Sequence, residues 1–157
     1  MPYFTEHPSP VGPLVLTSDG AALTGLWMQK QNFDCSYLPR QDNLPVFDAV
    51  REWLDAYFAG QPRAVSFPLS PAGTEFQRRV WAILLTIPYG EATTYGTIAK
   101  HLGEKMSAQA VGQAVGRNPI GIIIPCHRVV GAKGQLTGYA GGLENKQWLL
   151  RHEEETK

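Results

Sequence analysis

A proline-rich segment in the middle of the chain, RAVSFPLSPAG at residues 63–73, separates two halves with different hydrophobic patterns. Before it, short apolar runs are bounded by turn residues, a pattern that favours strands. After it, apolar residues recur every three or four positions, which favours helices. The segment itself is typical of an extended linker. The sequence therefore predicts two domains, an α/β domain at residues 1–72 and a mostly helical domain at residues 73–157.

The N-terminal half is expected to contain an antiparallel sheet and a helix. Two apolar runs in PLVLTSDGAALTGLWM flank the turn signal Asp19-Gly20, and YFTEH precedes them, so the simplest arrangement is an antiparallel meander. From Leu44 onward apolar residues recur at helical spacing, and the run ends at Gly60-Gln61-Pro62. The predicted fold class is α+β.

Helical patterns fill most of the C-terminal half. Thr74 can cap a helix that ends at Pro88-Tyr89-Gly90, and a second helix runs from about Thr94 to Gly103. After a brief turn, SAQAVGQAVG can form a third helix made of very small residues. This order resembles a helix-turn-helix motif, although small residues also suit tight packing between helices that never touch DNA.

Composition limits the class of protein. The chain has 157 residues, of which 43% are apolar and 18% charged, so it can bury a core. No apolar run reaches the roughly 18 residues that span a bilayer, and no signal peptide pattern opens the chain, so we expect a cytoplasmic location. Cys35 and Cys126 lie far apart, which predicts neither a disulfide framework nor a cysteine-rich zinc site. His7 and Cys35 are interpreted as surface or packing residues.

Charge is distributed unevenly between the two halves. Residues 1–73 carry four basic and seven acidic side chains, whereas residues 74–157 carry ten basic and seven acidic ones. The basic surplus of the second half permits a nucleic-acid-binding face there.

The segment PCHRVV at residues 125–130 is the strongest candidate for chemistry. A cysteine at the end of an apolar run is commonly a small buried hydrophobe. Here His127 and Arg128 follow Cys126 directly, and polar neighbours of this kind predict a lowered pKa and a nucleophilic thiolate. Adjacent side chains of an extended segment point to opposite sides, so a water or a turn must link Cys126 to His127. Glu144 and the acidic run at 153–155 are the acids available to orient the histidine.

The segment NPIGIIIPCHRVVG resembles the active-site signature of the O6-alkylguanine-DNA alkyltransferase family. GTEFQRRVWAILLTIPYGEATTYGTIAKHLG before it and LTGYAGGLENKQWLLRHE after it also match the family pattern. The N-terminal part fits the family's small ribonuclease-H-like domain. The resemblance implies DNA repair by irreversible, single-turnover transfer of an alkyl group from O6-alkylguanine, and from O4-alkylthymine, to a protein cysteine.

Five residues acquire catalytic roles from this resemblance. Cys126 accepts the alkyl group, and His127 draws the thiol proton through a bound water while Glu153 orients the imidazole. Tyr95 donates a hydrogen bond or proton to the departing guanine, and Asn118 braces the turn before the active-site segment. No cofactor or metal is implied.

The resemblance also implies contact with the minor groove of double-stranded DNA and extrusion of the target base. An arginine of the family's recognition helix takes the space of the flipped nucleotide, but Gln109 stands at that position here. Glutamine fills space and forms hydrogen bonds without a positive charge, so we expect weakened flipping. The other residues expected at the DNA surface are Ala108, Ala110, Gly112, Gln113 and Tyr95.

A glycine-rich loop, LTGYAGGLENK, is expected to cover the bound base. Tyr139 forms a wall, and Ala140, Gly141 and Val129 complete the substrate site. Many family members have serine where Ala140 stands, so a hydroxyl contact is lost and the pocket has more room for larger alkyl groups.

Other classes of protein remain open from the residues alone. A non-catalytic alkyltransferase-like binder would flag lesions without repair, but such proteins lack the cysteine present here. A cysteine hydrolase would need an oxyanion hole and a triad spacing that the sequence does not reveal. The expected protein is a monomer, associated with the nucleoid when bound to DNA, with cooperative binding along the duplex left open.

Overall fold

The chain begins with three antiparallel strands, as expected from the first thirty residues. The computed structural model describes residues 2–103 and 106–157. Strands β1 (Tyr3–His7), β2 (Leu14–Ser18) and β3 (Leu23–Met28) form a sheet in sequence order. The turn between β2 and β3 is closed by Asp19, whose Oδ1 accepts hydrogen bonds from the amides of Ala21 and Ala22, both at 2.9 Å.

Helix α1 (Pro45–Phe58) packs its apolar face near this sheet. Proline at its first position suits the helix start, because the missing N–H would have no partner within the helix there. Phe47, Val50 and Leu54 recur at helical spacing and are fully buried. Burial of such side chains contributes about 1.5–3 kcal/mol each relative to exposure, which fixes the helix face that packs inward.

The segment at 63–73 is extended but not free of the sheet. The amide of Leu23 donates to the carbonyl of Pro68 at 2.9 Å, and the amide of Ser70 donates to the carbonyl of Leu23 at 2.8 Å. The chain therefore runs beside β3 before it enters the helical half.

The C-terminal half contains helices α2 (Glu75–Leu84), α3 (Tyr95–Leu102), α4 (Ala108–Gly116) and α5 (Leu143–Thr156). Thr74, Thr94 and Ser107 cap the first three of these helices through their side-chain oxygens. Two short strands, β4 (Thr93–Thr94) and β5 (Val129–Val130), pair in parallel. Helices α3 and α4 form the expected helix-turn-helix pair; their connection includes residues 104 and 105, which lie outside the described residues.

Hydrogen bonds join the two halves close to the cysteine segment. The amide of Leu26 in β3 donates to the carbonyl of Pro119 at 2.9 Å, and the amide of Gly121 donates to the carbonyl of Leu26 at 3.3 Å. Trp81 of α2 is buried and donates from Nε1 to the carbonyl of Ala114 at 2.8 Å, which ties α2 to α4.

The predicted α+β class is confirmed. Among the described residues, no helix combines the length and the apolar composition that crossing a bilayer requires.

Candidate active site

Cys126 follows a buried turn and not a strand. The extended segment expected at Cys126 and His127 is not present: residues 121–124 form turns, and Cys126–Arg128 form a short 3-10 helix. The amide of Ile124 donates to the carbonyl of Ile120 at 3.1 Å, a turn bond within the segment, while the amide of Gly121 at its start donates to the carbonyl of Leu26 in β3. An apolar run signals burial, and burial alone does not distinguish a strand from a turn.

The turn contains an unusual backbone conformation that Asn118 helps to hold. Ile122 has a φ of +68°, a region that β-branched residues rarely adopt. The buried Asn118 donates from Nδ2 to the carbonyls of Ile124 at 2.8 Å and Ile120 at 3.3 Å. Its Oδ1 accepts from the amide of Ile120 at 3.0 Å. The asparagine side chain thereby brackets the turn that positions the cysteine.

His127 lies against Glu153, which reaches it from α5. His127 Nε2 is 2.5 Å from Glu153 Oε2, and both side chains are almost completely buried. Because an ionised carboxylate only accepts, Nε2 carries the proton and Nδ1 is left as the basic nitrogen. Among the described residues, Nδ1 of His127 has no hydrogen-bond partner.

Glu153 accepts hydrogen bonds from three other groups as well. Arg128 donates from Nε to Oε1 at 2.8 Å and from Nη2 to Oε2 at 3.1 Å, a bidentate pair. Tyr57 donates from its hydroxyl to Oε2 at 2.7 Å, and the amide of Gly90 donates to Oε1 at 3.1 Å. We call Tyr57, His127, Arg128 and Glu153 the relay cluster. In it, Arg128 pairs with the same carboxylate that is hydrogen-bonded to the histidine.

The charges in the relay cluster are set by burial and by these contacts. Burial alone would raise the pKa of Glu153, but the hydrogen bonds from His127 and Arg128 and the charge of Arg128 lower it to about 2. Burial lowers the pKa of His127 and outweighs the opposing effect of Glu153. The cluster therefore holds an ionised carboxylate beside a neutral imidazole, the form that can accept a proton.

The resting thiol differs from the sequence-based expectation. Burial raises the pKa of Cys126, against smaller opposing effects of the Asn118 side chain and the Lys146 charge. The expected lowering of this pKa is therefore wrong for the resting protein. Since a thiol is a poor nucleophile, proton transfer to a base must accompany its reaction.

A cleft opens beside Cys126 between the end of α4 and the loop at 131–142. Gly138 and Ala140 are exposed in this loop, and Tyr139 donates from its hydroxyl to Sδ of Met28 at 3.6 Å. The residues lining the cleft are Gln31, Val115, Gly116, Asn118, Gly121, Cys126, Gly138, Tyr139, Ala140 and Gly141. Three expected substrate residues, Tyr139, Ala140 and Gly141, thus lie around the same opening as the cysteine.

The two glycines of the loop differ in the space available for a side chain, which is absent at Gly141 and present at Gly138. A Cβ added at Gly141 would lie 2.3 Å from Sδ of Met28 and 2.8 Å from Cε2 of Tyr139, so a side chain there would displace the wall of the cleft. Nothing described lies within 4 Å of a Cβ built on Gly138. The fourth expected substrate residue, Val129, is buried in β5, and its carbonyl accepts from Nζ of Lys146 at 2.7 Å.

Tyr95 begins α3 and does not line the cleft. Its hydroxyl lies 2.5 Å from Oγ1 of Thr137 in the loop at 131–142. Its ring passes over α4, because a Cβ on Gly112 would meet Tyr95 Cδ1 at 3.7 Å. Tyr95 therefore connects the helix-turn-helix pair to the loop beside the cysteine.

The residues of α4 that are expected to contact DNA differ in exposure. Ala108, Gln109 and Gln113 are exposed, whereas Ala110 and Gly112 are half-buried. Val111, Ala114 and Val115 form the buried face of the same helix. The small residues of α4 therefore pack on one face of the helix and leave the other face accessible.

Tyr57 and Lys146 were not found from the sequence. Lys146, Leu149 and Glu153 share the buried face of α5. Their spacing of three and four residues was the signal in the sequence that the lysine lies on the same helix face as the glutamate. For Tyr57, an aromatic residue in an amphipathic helix gave no sign of a contact 96 residues away.

His7 and Cys35 are separate from the site. His7 Nε2 lies 2.7 Å from Asp55 Oδ1 near the surface, and Cys35 is a half-buried free cysteine. Within the described part of the chain, no group of three or more histidine, cysteine or acidic residues is placed to hold a metal ion.

Fold and site together define a class of protein in which a helix-turn-helix half carries a buried cysteine followed by a histidine that is hydrogen-bonded to a buried glutamate. The chain belongs to the 6-O-methylguanine DNA methyltransferase family. The family model of the ribonuclease-like domain matches residues 3–71, and that of the DNA binding domain matches residues 75–155.

Relatives and solved structures cover nearly the whole chain. It is 52% identical to a methylated-DNA–protein-cysteine methyltransferase of Mycobacterium leprae, over 92% of this chain and 88% of that one. It is 46% identical to one of Haemophilus influenzae, over 96% and 86%. The O6-methylguanine methyltransferase structure of Mycobacterium tuberculosis has a TM-score of 0.90 at 45% identity, covering 100% and 95%. The structure of Mycobacterium tuberculosis OGT in complex with DNA has a TM-score of 0.90 at 45% identity, covering 98% of this chain and 94% of that one.

Proposed function

We propose that this protein repairs DNA by moving an alkyl group from O6 of guanine to Sγ of Cys126. Its activity is that of a methylated-DNA–protein-cysteine methyltransferase, and DNA is its partner. One observation carries the assignment to Cys126. The cysteine lines a cleft and directly precedes His127, whose Nε2 is hydrogen-bonded to the buried carboxylate of Glu153. The curated relatives are named as methyltransferases, so a non-catalytic lesion binder is not favoured.

The transfer forms one S–C bond and breaks one C–O bond. The Sγ of Cys126 attacks the alkyl carbon while its proton passes through a water to Nδ1 of His127. Glu153 stabilises the imidazolium that results, because its charge is already fixed in the resting protein. The departing guanine develops negative charge. The Tyr95 hydroxyl, which lies 2.5 Å from Oγ1 of Thr137 in the loop beside the cleft, exchanges that contact for a hydrogen bond to the guanine and so reduces the cost of the charge. The proton ends on guanine, and the relay returns to its starting state.

The loop beside the cysteine supports the bound base in this proposal. Tyr139 stands at the edge of the cleft, and Gly141 leaves no room for a side chain between Tyr139 and Met28. The exposed Ala140 offers a backbone amide without a hydroxyl. The carbonyl of Val129 remains available for a second hydrogen bond, since carbonyl oxygens have two lone pairs.

The helix-turn-helix approaches the DNA in the minor groove and admits the damaged nucleotide to the cleft. The target atom is inaccessible inside a stacked duplex, so the base must flip out at a cost of a few kcal/mol. Gln109 occupies the position from which a side chain can enter the vacated space. Ala108, Ala110, Gly112 and Gln113 allow the backbone of DNA to come close to α4.

The thioether formed on Cys126 is stable, so each molecule acts once. The basic surplus of residues 74–157 draws the protein to DNA, and we place it in the cytoplasm on the nucleoid, acting as a monomer.

The experiment that tests this function is intact-protein and peptide mass spectrometry after incubation with a duplex containing O6-methylguanine. We expect a gain of about 14 Da on the Cys126 peptide and none on Cys35. Cys126→Ser, a nearly isosteric change, should show no gain. Absence of any adduct on the wild type, with the duplex still bound, would instead identify a lesion binder. Repeated turnover of an ester or amide would identify a hydrolase.

A further inference from the structure

The N-terminal half contributes a side chain to the relay cluster. Tyr57, near the end of α1, is 1% exposed, and its hydroxyl donates to Oε2 of Glu153 at 2.7 Å. That oxygen also accepts from Nε2 of His127 at 2.5 Å. Tyr57 therefore shares one carboxylate oxygen with the histidine that is to accept the thiol proton.

We propose that Tyr57 is a positioning residue of the alkyl-transfer site: its hydroxyl orients the Glu153 carboxylate toward His127 and keeps it a weaker proton acceptor. This inference rests on the proposed function, because it concerns the relay that serves Cys126. Tyr57 acts through Glu153 and has no contact with the thiol.

The physical reason lies in the sharing of Oε2. A hydrogen bond donated to a carboxylate stabilises its ionised form, so removal of the donor makes the remaining carboxylate more basic. A more basic carboxylate holds the Nε2 proton more strongly, which in turn makes His127 easier to protonate. The protonated relay cannot accept the thiol proton. Loss of the hydroxyl should therefore move the acid limb of the transfer rate to higher pH.

Other ionisable groups surround the relay and set the background for this effect. Arg128 fixes the other face of Glu153 through its bidentate pair, and its Cζ lies 5.6 Å from the ring centroid of Tyr89. Lys146 and His152 approach from α5, where His152 Nε2 is bonded to the carbonyl of Tyr57 at 2.8 Å. Replacing the Tyr57 hydroxyl alone leaves all of these groups in place.

The ring of Tyr57 has a separate structural role. It stacks on Trp53 with centroids 5.5 Å apart and meets Tyr89 edge to face at 5.7 Å. Tyr57→Phe keeps these ring contacts and deletes only the hydroxyl. Tyr89→Phe is a matched control, because its hydroxyl also bonds to α5, at Thr156 Oγ1 with a separation of 2.5 Å, but does not touch Glu153.

The test is the single-turnover rate of methyl transfer to Cys126 from pH 5 to pH 9 for the wild type, Tyr57→Phe and Tyr89→Phe. For Tyr57→Phe we expect the acid limb to move up by about half a pH unit to one unit, with rates near those of the wild type at pH 9. Tyr89→Phe should reproduce the wild-type profile. A Tyr57→Phe rate that is unchanged, or lowered equally at every pH, would overturn the proposal and leave a packing role.

A second measurement keeps the test decisive if Tyr57→Phe does not fold. Incorporation of 3-fluorotyrosine at position 57 retains the ring and makes the hydroxyl a stronger donor, so the acid limb should move to lower pH. A shift upward or no shift would contradict the proposal. If the wild type itself transfers no methyl group to Cys126, the proposed function fails. If the wild type does transfer it, but its pH profile is the same as those of the Tyr57 variants, the proposed role of Tyr57 fails and the proposed function stands.

Discussion

The two sides of Cys126 are built in different ways. Behind it, the relay cluster draws side chains from α1, the 3-10 helix and α5 onto one buried carboxylate. In front of it, the exposed face of α4 is a local structure, capped by Ser107 and presenting small and uncharged residues such as Gln109. The comparison teaches that the proposed chemistry depends on long-range contacts, whereas the proposed DNA-contacting side chains are carried by one short helix. Mutations should therefore have large effects on stability behind the cysteine and small effects on rate in front of it.

The largest effect is expected from Arg128→Met. It removes the bidentate partner of Glu153 and leaves a buried charge with fewer donors, which should lower the free energy of unfolding by about 3–5 kcal/mol. Urea denaturation at neutral pH measures this. Arg40→Met is the matched control, because Arg40 also pairs with two carboxylates, Glu6 and Asp42, but its side chain is 50% exposed. An equal decrease in the free energy of unfolding of the two variants would show that the buried ion pair contributes no more to stability than the exposed one.

A pH-dependent loss of stability should follow from the same cluster. The pKa of His127 lies below its ordinary value of 6.5 and that of Glu153 falls from 4.5 to about 2, so the unfolded chain binds protons that the folded protein does not. The stabilisation that these two groups contribute is therefore complete above pH 6.5. As the pH falls below 6.5 it declines, because His127 is protonated in the unfolded chain, and it declines again between pH 4.5 and 2, where Glu153 is protonated. The Glu153 part amounts to about 3 kcal/mol.

Thermal unfolding followed across this pH range checks the prediction. Glu153→Gln removes the lower part of the decline, because the ionisable group is gone. Glu154→Gln changes the exposed neighbour on the same helix, whose side chain is 65% exposed, and should leave the decline intact. Constant stability of the wild type from pH 5 to pH 3 would contradict the assigned charge of Glu153.

The smallest effect is expected on the exposed face of α4. Gln109→Arg supplies a charge and a planar fork at the position proposed to enter the DNA stack, so transfer from duplex DNA should become several-fold faster. Transfer from a single-stranded substrate should not change, because no base has to be extruded. Gln113→Arg adds the same charge one turn later on the exposed face. If both variants speed the reaction on duplex DNA equally, general attraction to phosphate explains the gain, and insertion by residue 109 does not.

The elements of the fold were predictable because their signals are local. The turn at Asp19, the cap at Thr74 and the helical spacing of α1 each lie within a few residues of the structure that they specify. The segment before Cys126 was not predictable in this way. Its conformation depends on Asn118, whose bracing role the family resemblance implied, and on backbone bonds to Leu26 in β3, which no local pattern reveals.

The sequence by itself determined the strands and helices, the motif PCHRVV and the family resemblance that directed attention to Cys126, His127 and Glu153. Only the tertiary structure decided the protonation states of these groups. Burial raised the pKa of the thiol where adjacency to His127 and Arg128 had suggested the opposite, and contacts from across the chain lowered the pKa of Glu153. It also decided that Tyr57, 96 residues from Glu153, belongs to the relay cluster. The physical reason is that a pKa responds to solvent exclusion and to charges within a few ångströms, and both depend on which distant segments pack together.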